Sequence, residues 1–331
     1  MPRSVAGHLA GHYDWPVQPF TVLVWNMARG YTSGHGKQED SWDFMLTLLR
    51  EHDVSIALLN EASCYMLKGA NEAALAQGRP PPASYSEVGT VGRDLFIDKH
   101  GEARPKSRSS WSTAVFSQEG AVPLGEREVR PYFEDDTRIM PFKPSRPGTW
   151  MASSVTVNDV PIASVSLYGL MEEATDASMH TSLSEISPIF FDRNHGRNVV
   201  IGGDFNVSTA FASPPGNSVK RQERMRCRTV FDRLKAFDLV DCLAEYRART
   251  GLNPIDGCTC ADEPCRHSVT RLYPNKEGQD KDWRKRVSPQ VDYLFASAHL
   301  THHLDVTTLD PNKWEKYSDH APLLISLGAS D

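Results

Sequence analysis

The sequence lacks the features of a membrane or secreted protein. No apolar run in its 331 residues approaches the roughly 20 residues that a helix needs to span a bilayer. The first stretch, MPRSVAGHLAGHYDWP, lacks the apolar core of a secretory signal. We therefore expect a protein of the cytoplasm that has no membrane partner.

Internal repeats, low-complexity tracts and long linkers are also missing. The loops richest in proline and glycine, at 78–85, 143–148 and 213–216, are too short to separate domains. The composition, with 40% apolar and 24% charged residues, is that of a globular protein, and the length allows a sizeable core. These observations predict a single domain over residues 1–331, with no segment that calls for an obligate protein partner.

The chain has no excess of positive charge, because 36 Lys and Arg residues against 42 Asp and Glu residues give a formal net charge of −6. Affinity for nucleic acid must then come from a local basic segment or from a metal ion. Two basic segments stand out, KEGQDKDWRKR and RQERMRCR, and the second could bind phosphate through Arg221, Arg224, Arg226 and Arg228. The simpler interpretation of each segment is a solvated helix or loop face.

Cysteine is scarce, and half of the six cysteines fall within one short segment. The segment CTCADEPCRH contains Cys258, Cys260, Cys265 and His267, which together could supply a tetrahedral structural zinc site. Ordinary reduced thiols are an equally good interpretation in a reducing compartment. In either case we expect a Cys/His-rich insert at about residues 256–286.

Apolar periodicity alternates between strand and helix patterns along the chain. Asn158 and Asp159 separate two of the strand patterns and predict a tight hairpin. Many strands with few helices indicate a layered α/β sandwich of stacked sheets with helices outside. The expected strands are 20–26, 54–61, 112–117, 151–158, 161–169, 198–206, 290–297 and 321–327, and the expected helices are 41–53, 181–192 and 222–236.

Polar residues recur at the ends of these apolar strands. In VVIGGDFN, Asp204 and Asn206 alternate with Phe205, so the two polar side chains of an extended segment would share one face. Charged groups inside or closing apolar strands are costly unless they are paired or bind a metal. The set therefore predicts a functional site formed by Asn26, Glu61, Tyr168, Asp204, Asn206, Asp292, Asp319 and His320.

These motifs resemble those of the endonuclease/exonuclease/phosphatase superfamily, which includes deoxyribonuclease I, exonuclease III and the abasic-site endonucleases. The resemblance implies a sandwich of two mixed, largely antiparallel sheets flanked by helices. The matching motifs occur in the family's order and cover most of the chain. They are VWN at Asn26, LLNE at Glu61, LYG at Tyr168, GGDFN at Asp204 and Asn206, VDYLFAS at Asp292 and SDHAPL at Asp319 and His320.

The resemblance implies a role for each matched residue in phosphoester hydrolysis by water. Glu61 would be the principal ligand of Mg²⁺ or Mn²⁺, with Asn26 and Asp319 close to the ion. Asp204, helped by Asn206, would orient and deprotonate the attacking water. The phosphoryl oxygens would be contacted by His320, which Asp292 holds, and by Tyr168.

Departures from the abasic-site endonucleases weaken the case for abasic-site repair. Ala28, Ser63 and Gly169 replace an acidic residue, a lysine and a proline of that group. The first hypothesis for the substrate is a nucleic acid, DNA above all, and the alternative is a small phosphoester such as an inositol phosphate, a nucleotide or a phospholipid head group. A non-catalytic binding module of the same fold is disfavoured, because the chain retains the metal-binding and water-activating residues. Gly202 and Gly203 are expected to let the backbone pass close to the metal and phosphate.

Overall fold

The computed structural model describes eleven stretches of the chain, and every structural statement below concerns these stretches. They are residues 18–27, 38–87, 95–97, 103–105, 111–129, 138–170, 175–191, 197–210, 218–252, 267–273 and 283–329. The described helices include none that is long and apolar enough to cross a membrane.

Strands outnumber helices, as the sequence predicts. The strands are β1 (Phe20–Asn26), β2 (Val54–Ser63), β3 (Ala83–Glu87), β4 (Leu95–Ile97), β5 (Ala103–Pro105), β6 (Trp111–Phe116), β7 (Val122–Pro123), β8 (Glu126–Val129), β9 (Arg138–Pro141), β10 (Trp150–Val157), β11 (Val160–Tyr168), β12 (Val199–Asp204), β13 (Leu239–Asp241), β14 (Asp292–Ser297), β15 (His303–Thr308) and β16 (Leu323–Gly328). The helices are α1 (Gln38–Glu51), α2 (Cys64–Ala76), α3 (Thr175–Ile186), α4 (Ser218–Lys235), α5 (Cys242–Thr250) and α6 (Pro311–Trp314).

Two mixed six-stranded sheets form the body of the described structure. The first has the order β15-β16-β1-β2-β6-β3, and the second has the order β13-β14-β12-β11-β10-β7. Their inner faces share one apolar cluster, in which Val24 and Leu58 of the first sheet accompany Ile162 and Val200 of the second. The sheets therefore pack face to face, and the predicted layered sandwich is confirmed.

Helices cover the outer face of each sheet. Residues that alternate with the inward-facing ones, such as Leu23 and Leu59, pack with Met45 of α1. On the second sheet, Ile201 packs in one cluster with Leu183 of α3 and with residues of α4. Because the central strands are buried on both faces, their sequences read as nearly continuous apolar runs.

The turn between β10 and β11 has the predicted position. Asn158 and Asp159 both have positive φ, at 49° and 65°, and the register pairs Val157 with Val160 across them. Two residues with positive φ fit the right-handed twist of a two-residue hairpin.

Other local predictions were wrong. Part of the expected loop at 78–85 belongs to β3, and the helix expected from Thr181 begins at Thr175 instead. The helices α2 and α5 and the strands β13 and β15 were not predicted at all. The strands β13 and β15 are stabilised by pairing with β14 and β16, respectively. A local sequence pattern does not show which distant strand will be the partner.

Candidate active site

Sheet topology brings the polar strand ends to one edge of the sandwich. In the first sheet β1 and β2 are parallel, with Asn26 beside Asn60. In the second sheet β11 is parallel to β12, so Tyr168 lies beside Asp204. The antiparallel β14 enters at the same edge and places Asp292 opposite Asp204.

Glu61 projects into this edge from a break in the regular pairing of β2. The register of β2 against β6 shifts between Leu59 and Ala62, and Glu61 between them has a φ of 49°. Its Oε1 atom accepts hydrogen bonds from the Tyr168 hydroxyl at 2.9 Å and from Asn26 Nδ2 at 3.3 Å. The carboxylate is buried, and the left-handed backbone sets its direction.

Asp204 is almost fully buried, and both of its carboxylate oxygens accept hydrogen bonds. Oδ1 accepts from the Asn206 backbone N–H at 3.0 Å, and Oδ2 accepts from Asn26 Nδ2 at 2.9 Å and Asn206 Nδ2 at 3.2 Å. Asn206 has a φ of 51°, so the chain turns there, while Phe205 points into the core. Burial raises the pKa of Asp204 to about 7, and the nearby charge of Asp292 adds to the rise.

His320 is held by Asp292 and faces Asp204. Its Nδ1 lies 2.9 and 3.1 Å from the two carboxylate oxygens of Asp292, which can only accept. The other ring nitrogen, Nε2, therefore points to Asp204 Oδ2 at 3.8 Å and to Asp319 Oδ1 at 3.9 Å. Burial alone would lower the pKa of His320, but the carboxylates of Asp292 and Asp204 outweigh it and raise the pKa to about 9.

Tyr168 lies at the site as a hydrogen-bond donor. Burial raises the pKa of Tyr168 far above its ordinary value, and the negative charge of Glu61 adds to this effect. The hydroxyl consequently stays protonated. Trp111 packs edge-on against the Tyr168 ring, with ring centroids 4.8 Å apart.

Asn60 is a supporting residue that the motif analysis did not identify. It is fully buried, and its Oδ1 accepts from the Asp204 backbone N–H at 2.7 Å while its Nδ2 donates to Ser166 Oγ at 3.3 Å. The signal in the sequence was an amide at the end of a buried apolar run, where a polar group needs a partner.

Asn60 also explains the second glycine of VVIGGDFN. A Cβ on Gly203 would lie 2.0 Å from the Leu167 carbonyl oxygen and 2.6 Å from Asn60 Oδ1, and its φ is 140°. A Cβ on Gly202 would crowd Tyr293 O, at 2.9 Å. Close contact with neighbouring strands and with Asn60 therefore accounts for both glycines. The expectation that they let the backbone pass close to a metal and a phosphate stays a prediction.

Arg271 is the second site residue that the motif analysis missed. Its Nε donates to Asp319 Oδ2 at 3.1 Å, and its side chain is largely buried. The backbone of Arg271 forms a bridge with His320, and the Leu272 N–H donates to the Asp319 carbonyl at 2.8 Å. Part of the expected Cys/His-rich insert is thus built into the site.

The chemistry of the donor groups fits a hard divalent cation. Glu61, Asp319 and Asn26 offer oxygen ligands of the kind that Mg²⁺ and Mn²⁺ take. A second group, Asp204, Asp292 and His320, has ligand atoms within 4.8 Å of one another. In that group both oxygens of Asp292 contact His320 Nδ1, at 2.9 and 3.1 Å.

The structure describes only part of the predicted zinc group. Cys258, Cys260 and Cys265 lie outside the described residues. His267 is buried, and its Nε2 is 3.1 Å from Thr209 Oγ1.

The arginine segment lies on α4. The side chain of Arg221 is outside the described part of the chain, Arg224 is partly exposed and Arg228 is exposed. Arg226 donates through Nε to Asp176 Oδ2 at 3.0 Å.

The other basic segment ends in a structural ion pair rather than in a solvated face. Both terminal nitrogens of Arg286 bond to the Glu315 carboxylate, at 2.6 and 2.8 Å, and Arg286 is buried. His180 lies within α3 and bonds to Thr229 and Arg233 of α4.

Solved structures share the fold of this chain at low sequence identity. The 3′ phosphatase NExo from Neisseria, bound to a product DNA hairpin, matches over 94% of this chain and 100% of its own, with 17% identity and a TM-score of 0.53. The AP endonuclease LMAP from Leishmania major matches over 94% and 88%, with 14% identity and a TM-score of 0.53. An AP endonuclease from Archaeoglobus fulgidus matches over 92% and 98%, with 13% identity and a TM-score of 0.52.

These matches confirm the two-sheet fold that the motifs predicted. No family model matches the chain, and no curated protein matches it at a significant level. The evidence on chemistry consequently rests on the site itself.

Proposed function

We propose that the protein is a Mg²⁺- or Mn²⁺-dependent phosphodiesterase of the endonuclease/exonuclease/phosphatase superfamily, and that its substrate is DNA. One observation carries the proposal: a buried Asp292–His320 pair points its free ring nitrogen at Asp204, beside the Glu61–Tyr168 pair. Such a group combines a base, a donor and a hard-oxygen metal site at one sheet edge. Buried carboxylates cost free energy unless they are paired or bind a metal, so a cluster of four at one sheet edge favours a catalytic role over a purely structural one.

In the proposed reaction, Asp204 takes a proton from water through Oδ2, and the water oxygen attacks phosphorus in line with the leaving oxygen. The new P–O bond replaces the old one, and the leaving oxygen departs with the electron pair and takes a proton from solvent. Protonated His320 donates from Nε2 to a phosphoryl oxygen. The Tyr168 hydroxyl, whose one proton goes to Glu61 Oε1 in the structure, would transfer that hydrogen bond to a phosphoryl oxygen. Glu61, Asn26 and Asp319 would hold the metal ion, which would supply positive charge to the phosphate.

The preference for DNA rests on the fold neighbours and on α4. NExo was solved with a DNA hairpin, and two further neighbours are AP endonucleases. The helix α4 follows the site strand β12 in the sequence, and its exposed arginines, Arg226 and Arg228, could contact a phosphate backbone. We place this reaction in the cytoplasm, where the buried cysteines Cys64, Cys227 and Cys242, which form no disulfide in the described structure, stay reduced.

A small phosphoester is the second candidate, because the chain carries a net charge of −6. A polynucleotide enzyme usually gains affinity from a positive surface, whereas a small substrate needs only the site.

The test compares wild type with Asp204→Asn on plasmid, linear duplex, single-stranded and abasic-site DNA, with Mg²⁺, Mn²⁺ or EDTA. We expect metal-dependent cutting that Asp204→Asn lowers by about 100-fold or more, since a positioned general base typically contributes that much. The matched control is Asp232→Asn, an exposed carboxylate on α4, which should cut like wild type. Folded, metal-binding protein that cuts none of these polymers but hydrolyses a small phosphoester would transfer the proposal to the second candidate.

A further inference from the structure

The carboxylates of the site create an electrostatic problem for the proposed substrate. Glu61, Asp204, Asp292 and Asp319 are all buried at one sheet edge, and a phosphodiester that enters is also negative. Among these groups His320 supplies one compensating charge, and a metal ion would supply more. The described structure offers a further cation at the same edge, which the proposed mechanism has not used.

That cation is Arg271, and its neighbours place it inside the site. Its Nε is bonded to Asp319, and its charge acts on Asp204, Asp292 and Asp319 and opposes the rise in the pKa of Tyr168. Tyr168 ends β11 of the second sheet, whereas Asp319 precedes β16 of the first, so the guanidinium is near groups from both sheets. Its side chain is 22% exposed, so it is only partly shielded from solvent.

The guanidinium is fixed at one nitrogen and unengaged at the others. Among the described residues, Nε bonds to Asp319 and neither terminal nitrogen has a hydrogen-bond partner. The backbone is held on both sides, by the Leu272 N–H on Asp319 O and by the Ser288 N–H on Arg271 O at 3.0 Å. A rigidly mounted guanidinium with two open terminal NH₂ groups is suited to two oxygens of one phosphate.

We propose that Arg271 binds the scissile phosphate through its terminal nitrogens while its Nε orients Asp319. This inference rests on the proposed phosphodiesterase function. Arg271 is therefore a substrate-binding residue, contributed by the segment that follows the cysteine cluster.

The test measures three quantities for wild type, Arg271→Gln and Arg271→Lys: the hydrolysis of bis(p-nitrophenyl) phosphate, its inhibition by inorganic phosphate, and the affinity for Mn²⁺. We expect Arg271→Gln to raise the inhibition constant of phosphate about 10-fold to 100-fold, since hydrogen bonds to charged groups are worth that much. Arg271→Lys should recover part of the loss, because it keeps the charge without the planar fork. Affinity for Mn²⁺ should change far less than in Asp319→Asn.

The matched control is Arg249→Gln, which removes a surface arginine whose Nε bonds to Glu245 at 2.8 Å. It should behave as wild type. If Arg271→Gln leaves phosphate inhibition unchanged, the inference is overturned and the proposed function stands. The same holds if Arg271→Gln lowers the affinity for Mn²⁺ as far as Asp319→Asn does but leaves phosphate inhibition unchanged.

A wild type that hydrolyses no phosphoester would remove the proposed function instead. Calorimetric titration of Mn²⁺-loaded protein with inorganic phosphate then still tests Arg271. Binding that Arg271→Gln weakens would support the inference, and wild type that binds no phosphate would overturn it together with the function.

Discussion

At the scale of single residues, two residues of the site have an unfavourable backbone conformation. Glu61 and Asn206 both have φ near 50°, a conformation that costs a residue other than glycine about 1–3 kcal/mol. Asn206 tolerates it better than Glu61, since asparagine enters the left-handed region more readily. The hydrogen bonds from Tyr168 and Asn26 hold Glu61 there. Its position is therefore kept for the direction of the carboxylate and not for the stability of β2.

The Asp292–His320 pair allows a prediction about pH. The negative charge of Asp292 is the main effect that outweighs burial and raises the pKa of His320 to about 9. The substitution Asp292→Asn removes this charge. The variant should lose the His320 proton at lower pH, so the alkaline limb of its kcat profile should shift downward. Its maximal kcat should also fall by about 100-fold to 10,000-fold.

Steady-state kinetics across pH and NMR titration of the imidazole check this prediction, with Asp232→Asn as the control. An alkaline limb that stays where it is in wild type would show that His320 does not carry the proton.

At the scale of elements, the turn of the β10–β11 hairpin contains a residue with an unfavourable backbone conformation that a substitution can relieve. Asp159 has a φ of 65° at the second turn position, where glycine is preferred. Asp159→Gly should raise the free energy of unfolding by about 0.5–1 kcal/mol, because the turn conformation costs glycine nothing. Asp159→Ala should lower it.

Urea denaturation of both variants tests the pair. The turn lies at the Val157–Val160 end of β10 and β11, and Tyr168 occupies the opposite end of β11, so activity should be unchanged. An Asp159→Gly variant less stable than wild type would contradict the assignment of the turn.

The elements also show how much of the fold and of the site can be predicted from the sequence. The central strands β1, β2, β11 and β12 were predictable because each is an apolar run that ends in a polar residue. The bulge at Glu61 was not, since it depends on the register against β6. Arg271 was not either, because its segment has no periodic pattern and joins the site through bridges to distant residues.

At the scale of the whole molecule, burial of the site makes the stability of the metal-free protein depend on pH. Burial and neighbouring charge raise the pKa of Asp204 from 3.8 to about 7. Its contribution to the stability of the folded protein is therefore present below pH 4 and is lost as pH rises through 7. The pKa of His320 rises from 6.5 to about 9, because Asp292 and Asp204 outweigh burial. Its contribution is present below pH 6.5 and is lost as pH rises through 9.

Both groups therefore predict that the Tm of the metal-free protein falls between pH 5 and pH 9. Thermal melts in EDTA across this range measure the effect, and Asp204→Asn should flatten the part below pH 7. Saturating Mn²⁺ should raise the Tm most at high pH, where the carboxylates are charged and the ion binds only the folded state. A metal-free Tm that rises steadily with pH would contradict the assignment of these buried groups.

The Trp25 indole donates to the His320 carbonyl at 3.0 Å, across a sequence separation of 295 residues. The candidate active site thus joins the first described strand to a segment 295 residues later in the sequence. A growing chain that has not yet exposed His320 lacks the imidazole and the partner of Asp292, whatever else has folded. A chain with the proposed activity would in this way remain inactive until the segment that contains His320 has been made.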